Sequence, residues 1–369
     1  MQTLARNGYT AEQVKKALHA PHRSLRFRYE LLDKQNQLKA NLSGVLSGKV
    51  SYQSLAQIKR TATFKLREDS SINFLSDRIK PYVLLRMSDG GWTEWPLGVF
   101  VLSTPPRRVD GAGVITRMVE AYDLLQVLVD DKVDDRYTVT RGTNYIAAVK
   151  TLLDRSGIAG QNLTATDKTL PSDRDWDPGT TILSIINDLL GAVNYRSLWF
   201  DEHGIAVAQP YVTPASRASE YTYRDDDKSV IFPDVEQSLD LFAVPNKWVL
   251  VVSEPDRPPL VSTYTNSNPE SPTSTVSRGR TIVDYREYEE AADQSTLDAR
   301  AQRIASEASQ VYESVEFETA IMPMHSDMDC LTLEFTALSI SDKYIETSWE
   351  FDLRAGARMR HRIRKVVNV

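Results

Sequence analysis

The sequence predicts an α+β protein that is mainly β, with two strand-rich regions separated by a region that contains helices. Short segments of alternating apolar and polar residues recur between turn signals from Ser24 to Asp131 and again from about Ser229 to Val369. Between these regions, from about Tyr137, the sequence shows two apolar patterns with helical spacing. Each strand-rich region is therefore predicted to be a small antiparallel β-barrel or sandwich, and the region between them an α+β insert.

Residues 1–23 are predicted to be a helical segment in front of the first strand. Thr10 and Gln13 have the spacing of a capping box, and Pro21 follows the end of a helix predicted over Thr10–Ala20. Ser24–Leu32 then alternates as a strand does, followed by a polar turn and a further strand over Lys59–Glu68.

Arg78–Ala121 is predicted to be a β-hairpin followed by a return strand. Asp89-Gly90-Gly91 provides a two-residue loop, so the arms are Tyr82–Met87 and Trp92–Leu102. One predicted face holds Tyr82, Leu84, Arg86, Thr93, Trp95, Leu97 and Val99, and the other holds Val83, Leu85, Met87, Trp92, Pro96 and Phe100. Both faces are largely apolar, which predicts either an ordinary two-layer core or a cover from another domain or subunit. The candidate interface residues here are Trp92, Trp95 and Phe100.

The insert is predicted to contain two helices and a hairpin. The first helix spans Asn144–Arg155 and stops at Gly157. The second begins with Asp177 as N-cap and Pro178 at its first position. Its buried face consists of Ile182, Ile185, Ile186, Leu189 and Leu190. A hairpin over Tyr195–Tyr211 completes the insert.

The last region is predicted to contain strands and one long helix. Lys247–Ser253 and Thr281–Tyr288 are strands, and Glu254–Gly279 between them is a loop long enough to be functional or interfacial. The helix spans Ser295–Tyr312, with Ser295 and Asp298 capping its start. Its narrow apolar seam consists of Leu297, Ala301, Ile304, Ala308 and Val311.

The chain ends in a segment with six cations and no acid, Leu353–Val369. Arg358, Arg360, Arg362 and Arg364 alternate, so on a strand they share one face. A three-residue loop over Ala355–Ala357 would set Arg360 opposite Asp352 and Arg362 opposite Glu350. This register predicts a ladder of opposite charges that is solvated or lies between subunits, with DNA contact as the alternative. Glu350, Asp352, Arg360 and Arg362 are therefore further candidate interface residues.

Composition limits the function classes. Forty-four Lys and Arg against fifty Asp and Glu give a net charge of -6, which suits a protein that DNA passes without sticking. The single cysteine, Cys330, cannot form an internal disulfide or supply a Cys-rich zinc site, and it is predicted to act as a small apolar residue near a strand. The first residues lack the apolar core of a signal peptide, and no later run is long enough to span a bilayer. We expect cytoplasmic synthesis and no stable membrane insertion.

No segment predicts a catalytic, cofactor-binding or metal-binding site. The sequence has no GxSxG elbow, no GxxxxGK[ST] loop and no GxGxxG after a strand. His325, Asp327 and Asp329 alternate, but a metal site would need ligands from elsewhere, so a polar turn is predicted. Asp225–Asp227 is predicted to be a solvated charge run, because the glycine and terminal glutamate of a calcium loop are missing.

Eight short motifs occur in an order and spacing that resemble the baseplate hub proteins of long-tailed bacteriophages. They are WPLGVF (Trp95–Phe100), AYDLL (Ala121–Leu125), RGTNYI (Arg141–Ile146), WDPG (Trp176–Gly179), SLWFDEHG (Ser197–Gly204), VPNKW (Val244–Trp248), Gly279-Arg280 and MPMH (Met322–His325). The resemblance covers about Arg78–Val369. It implies a structural, non-enzymatic protein that forms a homotrimeric ring at the virion tail tip or baseplate.

The resemblance also implies the domain organisation and the partners. The two tail-tube-like β-barrels would be residues 24–133 and 229–369, with the insert at 134–228. Three subunits would then offer six barrels to the hexameric tail tube and leave a channel for DNA ejection. Expected partners are a tail tube or distal tail protein above, spike or fibre proteins below, and a tape measure protein. No cofactor is implied.

Two other function classes stay open from the sequence. One is a tail-associated peptidoglycan hydrolase that uses carboxylates such as Asp327 and Asp329. The other is a receptor- or carbohydrate-binding tail module that uses the 254–279 loop and the insert.

Overall fold

The computed structural model describes residues 1–109, 111–239, 241–253, 258–309 and 313–366. Its α-helices are α1 (Ala11–Leu18), α2 (Leu125–Asp130), α3 (Tyr145–Arg155), α4 (Ile182–Ala192), α5 (Thr275–Arg278) and α6 (Gln294–Ser309). The strands of the first half are β1 (Leu25–Leu32), β2 (Leu38–Leu42), β3 (Val45–Gln53), β4 (Arg60–Arg67), β5 (Arg78–Arg86), β6 (Trp92–Pro96), β7 (Phe100–Leu102), β8 (Arg107–Val109), β9 (Ile115–Asp123), β10 (Tyr137–Val139), β11 (Gln161–Leu163) and β12 (Arg174–Trp176). The later strands are β13 (Trp199–Phe200), β14 (Ala206–Ala208), β15 (Tyr221–Arg224), β16 (Ile231–Leu239), β17 (Lys247–Val252), β18 (Leu260–Thr265), β19 (Val283–Tyr288), β20 (Glu313–Ala320), β21 (Cys330–Phe335), β22 (Ile340–Asp352) and β23 (Arg358–Lys365). The mainly β, antiparallel class is confirmed.

One large sheet of 15 strands forms the body of the protein. Its strands follow the order β16-β20-β23-β22-β3-β4-β9-β7-β5-β1-β2, and β15, β21, β6 and β8 attach beside this path. Strand β22 pairs with β3, so strands from both predicted barrel regions are hydrogen-bonded within the same sheet. Over the described residues the strand order does not close on itself, and the two-barrel organisation stays a prediction.

The main core lies against this sheet and is shared by both regions. It includes Val50, Phe64 and Trp95 from the first region together with Phe317 and Trp349 from the last. Helix α1 packs Val14 and Leu18 into the same core. The predicted capping box is confirmed: the Gln13 amide donates to the Thr10 hydroxyl at 3.3 Å, and the Thr10 amide donates to the Gln13 side chain at 2.9 Å.

The insert has a second core built around α3 and α4. Helix α3 begins after Asn144, and the predicted apolar face of α4 is fully buried. The predicted N-cap of α4 was wrong: Thr181 caps this helix by accepting from the Ser184 amide at 3.1 Å. Asp177 instead begins a turn in which Gly179 has a φ of 88°, a conformation that glycine adopts without strain.

The end of the predicted insert differs from the structure. Tyr221–Arg224, which the sequence assigned to the insert, forms β15 and pairs in parallel with β21 of the main sheet. The Tyr195–Tyr211 hairpin is present, but only β13 and β14 within it have strand geometry. The exposed charge run Asp225–Asp227 follows β15 as predicted.

A third unit consists of the sheet β18-β17-β19 covered by α6. The prediction of a loop over Glu254–Gly279 was wrong in part: Leu260–Thr265 is β18, which pairs with β17, and α5 follows it. Residues 254–257 lie outside the described residues. The sequence pattern did not predict β18, because its one buried side chain belongs to a polar residue, Ser262.

Helix α6 confirms the predicted seam over the described residues. Leu297, Ala301 and Ile304 are buried against the sheet, while Val311 lies outside the described residues. The predicted cap was displaced by two residues, since the Asp293 carboxylate accepts from the Thr296 amide at 2.8 Å. Ser295 donates its hydroxyl to the same carboxylate at 2.7 Å and does not cap the helix itself.

Candidate assembly surface and buried polar cluster

The β5–β6 hairpin exists, but its loop has three residues where the sequence predicted two. The Met87 amide donates to the Gly91 carbonyl at 2.9 Å, and the Gly90 amide donates to the Met87 carbonyl at 3.0 Å. Gly90 has a φ of 88°, as a three-residue hairpin loop requires. The predicted division of side chains was therefore wrong, because one extra loop residue moves every side chain of the second arm to the other face.

The corrected register gives the hairpin one buried face. Val83 lies opposite Trp95 and Leu85 lies opposite Thr93, and these four side chains are fully buried. Phe100 of β7 is also fully buried in the same core. The side chains of Trp95 and Phe100 pack inside the chain, so they are not available for contact with another subunit.

Charged side chains cover the outer face of the hairpin. The Arg28 guanidinium lies 3.7 Å from the centre of the Tyr82 ring and pairs with Glu30 at 2.5 Å and with Glu94 at 2.6 Å. The partly exposed Trp92 ring lies beneath Arg26 at 4.6 Å. These side chains cover the face that the sequence predicted to be covered by another domain or subunit. Trp92 stays a candidate interface residue.

The β22–β23 hairpin also differs in register from its prediction. Glu350 lies opposite Arg360 and Phe351 opposite Met359, because Leu353–Ala357 forms a five-residue connection. The turn is closed by the Ala357 amide, which donates to the Arg354 carbonyl at 3.1 Å. This change shifts the pairing by two residues, and a shift of two keeps each side chain on its face.

A ladder of opposite charges lies on the outer face of this hairpin and extends over four strands, but the predicted pairs were wrong: Arg360 does not lie opposite Asp352, nor Arg362 opposite Glu350. Glu318, Arg360 and Glu350 lie opposite one another across β20, β23 and β22, and Lys49 of β3 contacts Glu350 diagonally; these four side chains of alternating charge are here called the charge row. Arg360 lies 3.4 Å from Glu318 and 3.6 Å from Glu350, and Lys49 lies 2.8 Å from Glu350.

Neighbouring pairs continue the ladder on both sides of the charge row. Arg358 pairs with Glu318 at 3.0 Å and Arg362 with Glu316 at 3.3 Å, while Asp352 is exposed opposite Lys49 in the register of β22 and β3. The acids on β20 supply partners that the sequence prediction did not include. Whether the charge row contacts another subunit stays a prediction.

Over the described residues, the strand order of the main sheet ends at β2 and β16, and the attached strands β6, β8 and β15 also pair with one strand each. Leu38 on β2 is 59% exposed and Leu239 on β16 is 61% exposed. An edge strand offers unpaired backbone groups to a strand of another chain. On β16, a proline (Pro233) and two charged residues (Asp234 and Glu236) disfavour pairing with any strand that does not match them.

A cluster of buried polar side chains lies in the main core, on the buried face of β22 and β23. His325 comes from the loop before β21, Glu346 from β22 and His361 from β23, and each is at most 2% exposed. His325 Nδ1 lies 2.5 Å from Glu346 Oε2 and 3.2 Å from Asp329 Oδ2. His361 Nδ1 lies 2.7 Å from Glu346 Oε1.

The sequence predicted only part of this cluster. The segment between β20 and β21 was predicted as a polar turn, and the structure adds that His325, Asp327 and Asp329 within it are buried. Asp327 pairs with Arg196 and accepts from the Tyr52 hydroxyl at 2.6 Å. Glu346 was not singled out, since its position in an alternating strand does not distinguish it from the exposed acids of β22.

Opposite charges keep most of this cluster ionised despite its burial. Burial lowers the pKa of His325, but Glu346 and Asp329 outweigh that effect and raise the pKa to about 9. Burial would raise the pKa of Glu346, yet His325 and His361 hold it below its ordinary value. For His361, burial dominates and lowers the pKa.

The fold is similar to that of three tail and secretion proteins of known structure. A tail protein from Neisseria meningitidis MC58 aligns with a TM-score of 0.66 and 13% identity, covering 92% of this chain and 97% of that one. The 43 kDa tail protein of prophage MuSo2 from Shewanella oneidensis aligns with a TM-score of 0.63 and 12% identity, covering 92% and 98%.

The third is the E. coli c3393 protein, with a TM-score of 0.51 and 10% identity, covering 89% of this chain and 76% of that one. It is described as a type VI secretion component structurally similar to the T4 tail proteins gp27 and gp5. No protein-family model and no curated protein sequence matches the chain. The predicted resemblance to phage tail hub proteins is therefore confirmed at the level of the fold.

Two further expectations concern single features. Cys330 lies at the start of β21, in agreement with the predicted place near a strand, and it is buried. Among the described residues, no helix is long and apolar enough to cross a membrane.

Proposed function

We propose that this protein is a structural component of a bacteriophage tail, located at the tail tip or baseplate of the virion. The observation that carries the proposal is the extent of the fold similarity: two tail proteins align over 92% of this chain and almost their whole length. A shared fold over the whole chain supports a shared architectural role more than a shared single domain would, although fold alone does not fix function.

The proposed assembly is a homotrimeric ring at the distal end of the tail tube. Each subunit would offer two tube-like barrel regions, built from residues 24–133 and 229–369, to a hexameric tube protein or a distal tail protein above. Spike or fibre proteins would bind below, and a tape measure protein would contact the ring. The exposed edges β2 and β16 support this assembly, because a ring needs strand edges or surfaces that another subunit can cover.

The charge row supports a ring that DNA crosses during ejection. Its acids and bases alternate at 2.8 to 3.6 Å and neutralise one another within one subunit. A basic surface would hold the phosphates of DNA, whereas a balanced surface together with a net charge of -6 does not. This property suits either a channel wall or a contact between subunits.

The geometry gives less support to the alternatives. Asp327 and Asp329, the carboxylates considered for peptidoglycan hydrolysis, are buried, and both are paired with cations inside the fold. A hydrolase needs two carboxyl groups on either side of an accessible sugar. The segment considered for receptor binding contains β18 and α5, and it stays a candidate surface only for a binding role that accompanies the structural one.

The mass of the purified protein in solution tests the ring. Size-exclusion chromatography with light scattering is expected to show a trimer, and a reconstruction of the intact tail tip is expected to place three copies around the channel. A protein that stays monomeric at high concentration and is missing from the tail tip would overturn the proposal.

A further inference from the structure

Three potential metal ligands from separate segments converge in the main core. The ligand atoms of His325, Glu346 and His361 all lie within 4.8 Å of one another. His325 lies on the loop before β21, whereas Glu346 and His361 lie on the paired strands β22 and β23. Only the tertiary fold brings these side chains together, since the three positions share no local sequence motif.

Both imidazoles have the orientation found in metal sites. Each ring turns Nδ1 towards the Glu346 carboxylate, at 2.5 Å for His325 and 2.7 Å for His361. The opposite nitrogen, Nε2, lies 2.6 Å from the Tyr223 hydroxyl in His325 and 2.8 Å from the Thr319 hydroxyl in His361. A histidine that binds a metal through one nitrogen usually donates the other N–H to an oxygen, which fixes the ring.

Three atoms of the cluster, His325 Nδ1, Glu346 Oε2 and Asp329 Oδ1, are buried without a hydrogen bond, although Asp329 Oδ1 is ion-paired with the Met1 ammonium at 2.6 Å. His325 Nδ1 and Glu346 Oε2 face each other at 2.5 Å, but neither makes a hydrogen bond of acceptable geometry. Buried polar atoms in native proteins almost always have a partner, and a bound ion is one recognised explanation for an exception. Without a metal, His325 Nδ1 and Glu346 Oε2 form an ion pair, and a cation between them would replace that pair and bind both.

We propose that His325, Glu346 and His361 bind one zinc ion that stabilises the fold. Two imidazoles and carboxylate oxygen form a donor set that zinc prefers, whereas magnesium and calcium prefer sites of oxygen alone. Asp329, whose Oδ2 lies 3.2 Å from His325 Nδ1, is the nearest further carboxylate and completes four donors. With both imidazoles neutral, the zinc ion and the Met1 ammonium, which lies 2.6 Å from Asp329 Oδ1, face the two carboxylates of Glu346 and Asp329.

The proposed ion would be structural and not catalytic. The donor side chains of His325, Glu346, His361 and Asp329 are at most 2% exposed, so no substrate can reach them. Zinc bonds to nitrogen and oxygen are about 2.0 to 2.2 Å long, which requires small shifts that separate Nδ1 of His325 from Oε2 of Glu346. The ion would tie the loop before β21 to β22 and β23, and metal binding would then add to folding stability.

Metal analysis of the full chain, purified without a histidine tag, tests the site. After treatment with a chelator, dialysis against zinc is expected to restore about one zinc ion per chain by mass spectrometry and to raise the unfolding temperature. Cobalt in place of zinc is expected to give visible absorption bands of a four-coordinate site. Zinc below about a tenth of an ion per chain, with no thermal shift, would overturn the proposal.

Matched variants separate the buried site from surface histidines. His361→Gln and Glu346→Gln are each expected to abolish binding, while His22→Gln, which alters an exposed histidine, is expected to retain it. Circular dichroism and size exclusion establish that each variant folds. Equal zinc in folded His361→Gln and in the wild type would also overturn the proposal. If neither cluster variant folds, the wild-type dialysis and the cobalt spectrum decide.

Discussion

Tyr52 of β3 and Trp349 of β22 lie opposite each other, with their rings stacked at a centroid distance of 5.7 Å. Both side chains are almost fully buried in the main core. This pair joins two regions that the sequence predicted as separate barrels. We infer that the two regions unfold together.

Trp349→Ala is expected to destabilise the whole sheet by about 3 to 5 kcal/mol, because it leaves a large cavity at this contact. Urea unfolding followed by circular dichroism measures the change. Trp92→Ala, which removes a partly exposed tryptophan, is the control and is expected to cost less. Two separate transitions in the wild type, with only one moved by Trp349→Ala, would contradict joint unfolding.

The buried pair of Arg60 and Glu202 fixes the insert to the main sheet. The Arg60 guanidinium donates to the Glu202 carboxylate at 2.5 Å, and both side chains are buried. Glu202→Gln is expected to destabilise the protein by about 3 kcal/mol, because it leaves the arginine charge buried without a counter-charge. Asp175→Asn, which breaks the exposed pair with Arg136, should leave the midpoint of chemical unfolding almost unchanged. Equal changes in the free energy of unfolding for the two substitutions would show that the buried pair stabilises the fold no more than the exposed pair does.

Asp123 should make stability depend on pH. Burial raises the pKa of this carboxyl from 3.8 to about 6, against the opposing effect of the Arg60 and Leu125 amides that donate to it. The folded protein therefore holds a proton that the unfolded chain releases, so stability is expected to fall as pH rises from about 4 to 6.

The contribution of Asp123 is expected to be about 2 to 4 kcal/mol over that range. Unfolding by urea at several pH values, in the wild type and in Asp123→Asn, isolates it from other titrating groups. The difference between the two proteins should change across the range and stay constant above it. A difference that does not depend on pH would indicate that the carboxyl is ionised throughout.

Arg360→Glu is expected to weaken the trimer if the charge row lies between subunits. The substitution places a third acid beside Glu318 and Glu350, so repulsion replaces attraction at the row. Light scattering at several salt concentrations measures the fraction of trimer. Arg224→Glu, at an exposed pair with Glu334 elsewhere on the sheet, is the control. Trimer content that matches the control would place the charge row outside the interface.

Asp327→Asn tests the hydrolase alternative. Because Asp327 is held by Arg196 and Tyr52, we expect purified wild-type protein to leave the turbidity of cell-wall suspensions unchanged. The variant should do the same while losing stability. Clearing by the wild type that disappears in Asp327→Asn would favour an enzyme over a structural protein.

The sequence predicted elements better than it predicted how they pair. Helix α3, the apolar face of α4 and the β5–β6 and β22–β23 hairpins follow from local periodicity and from capping and turn residues. The errors in the two hairpins came from loop length. The β5–β6 loop has one residue more than predicted, which moved the side chains of the second arm to the other face. The β22–β23 connection has two residues more than predicted, which changed the pairing but kept each side chain on its face.

The buried cluster could not be predicted from local patterns. His325, Glu346 and His361 are separated by 21 and 15 residues in the chain, and each lies in a segment whose pattern is ordinary for a loop or a strand. The alternation of β23 did place His361 on the apolar side. Which side chains surround His361 depends on which strands pair, and the pattern of a single strand does not determine that pairing.

The pairing of β3 with β22 has a consequence for synthesis. About 300 residues separate the two strands, so β3 leaves the ribosome long before its partner exists. At about 5 to 20 residues per second, β3 would wait roughly 15 to 60 seconds with one edge unpaired. During that time the chain is open to aggregation, because unpaired edges attract other strands. Expression at lower temperature or with chaperones should therefore raise the yield of soluble protein.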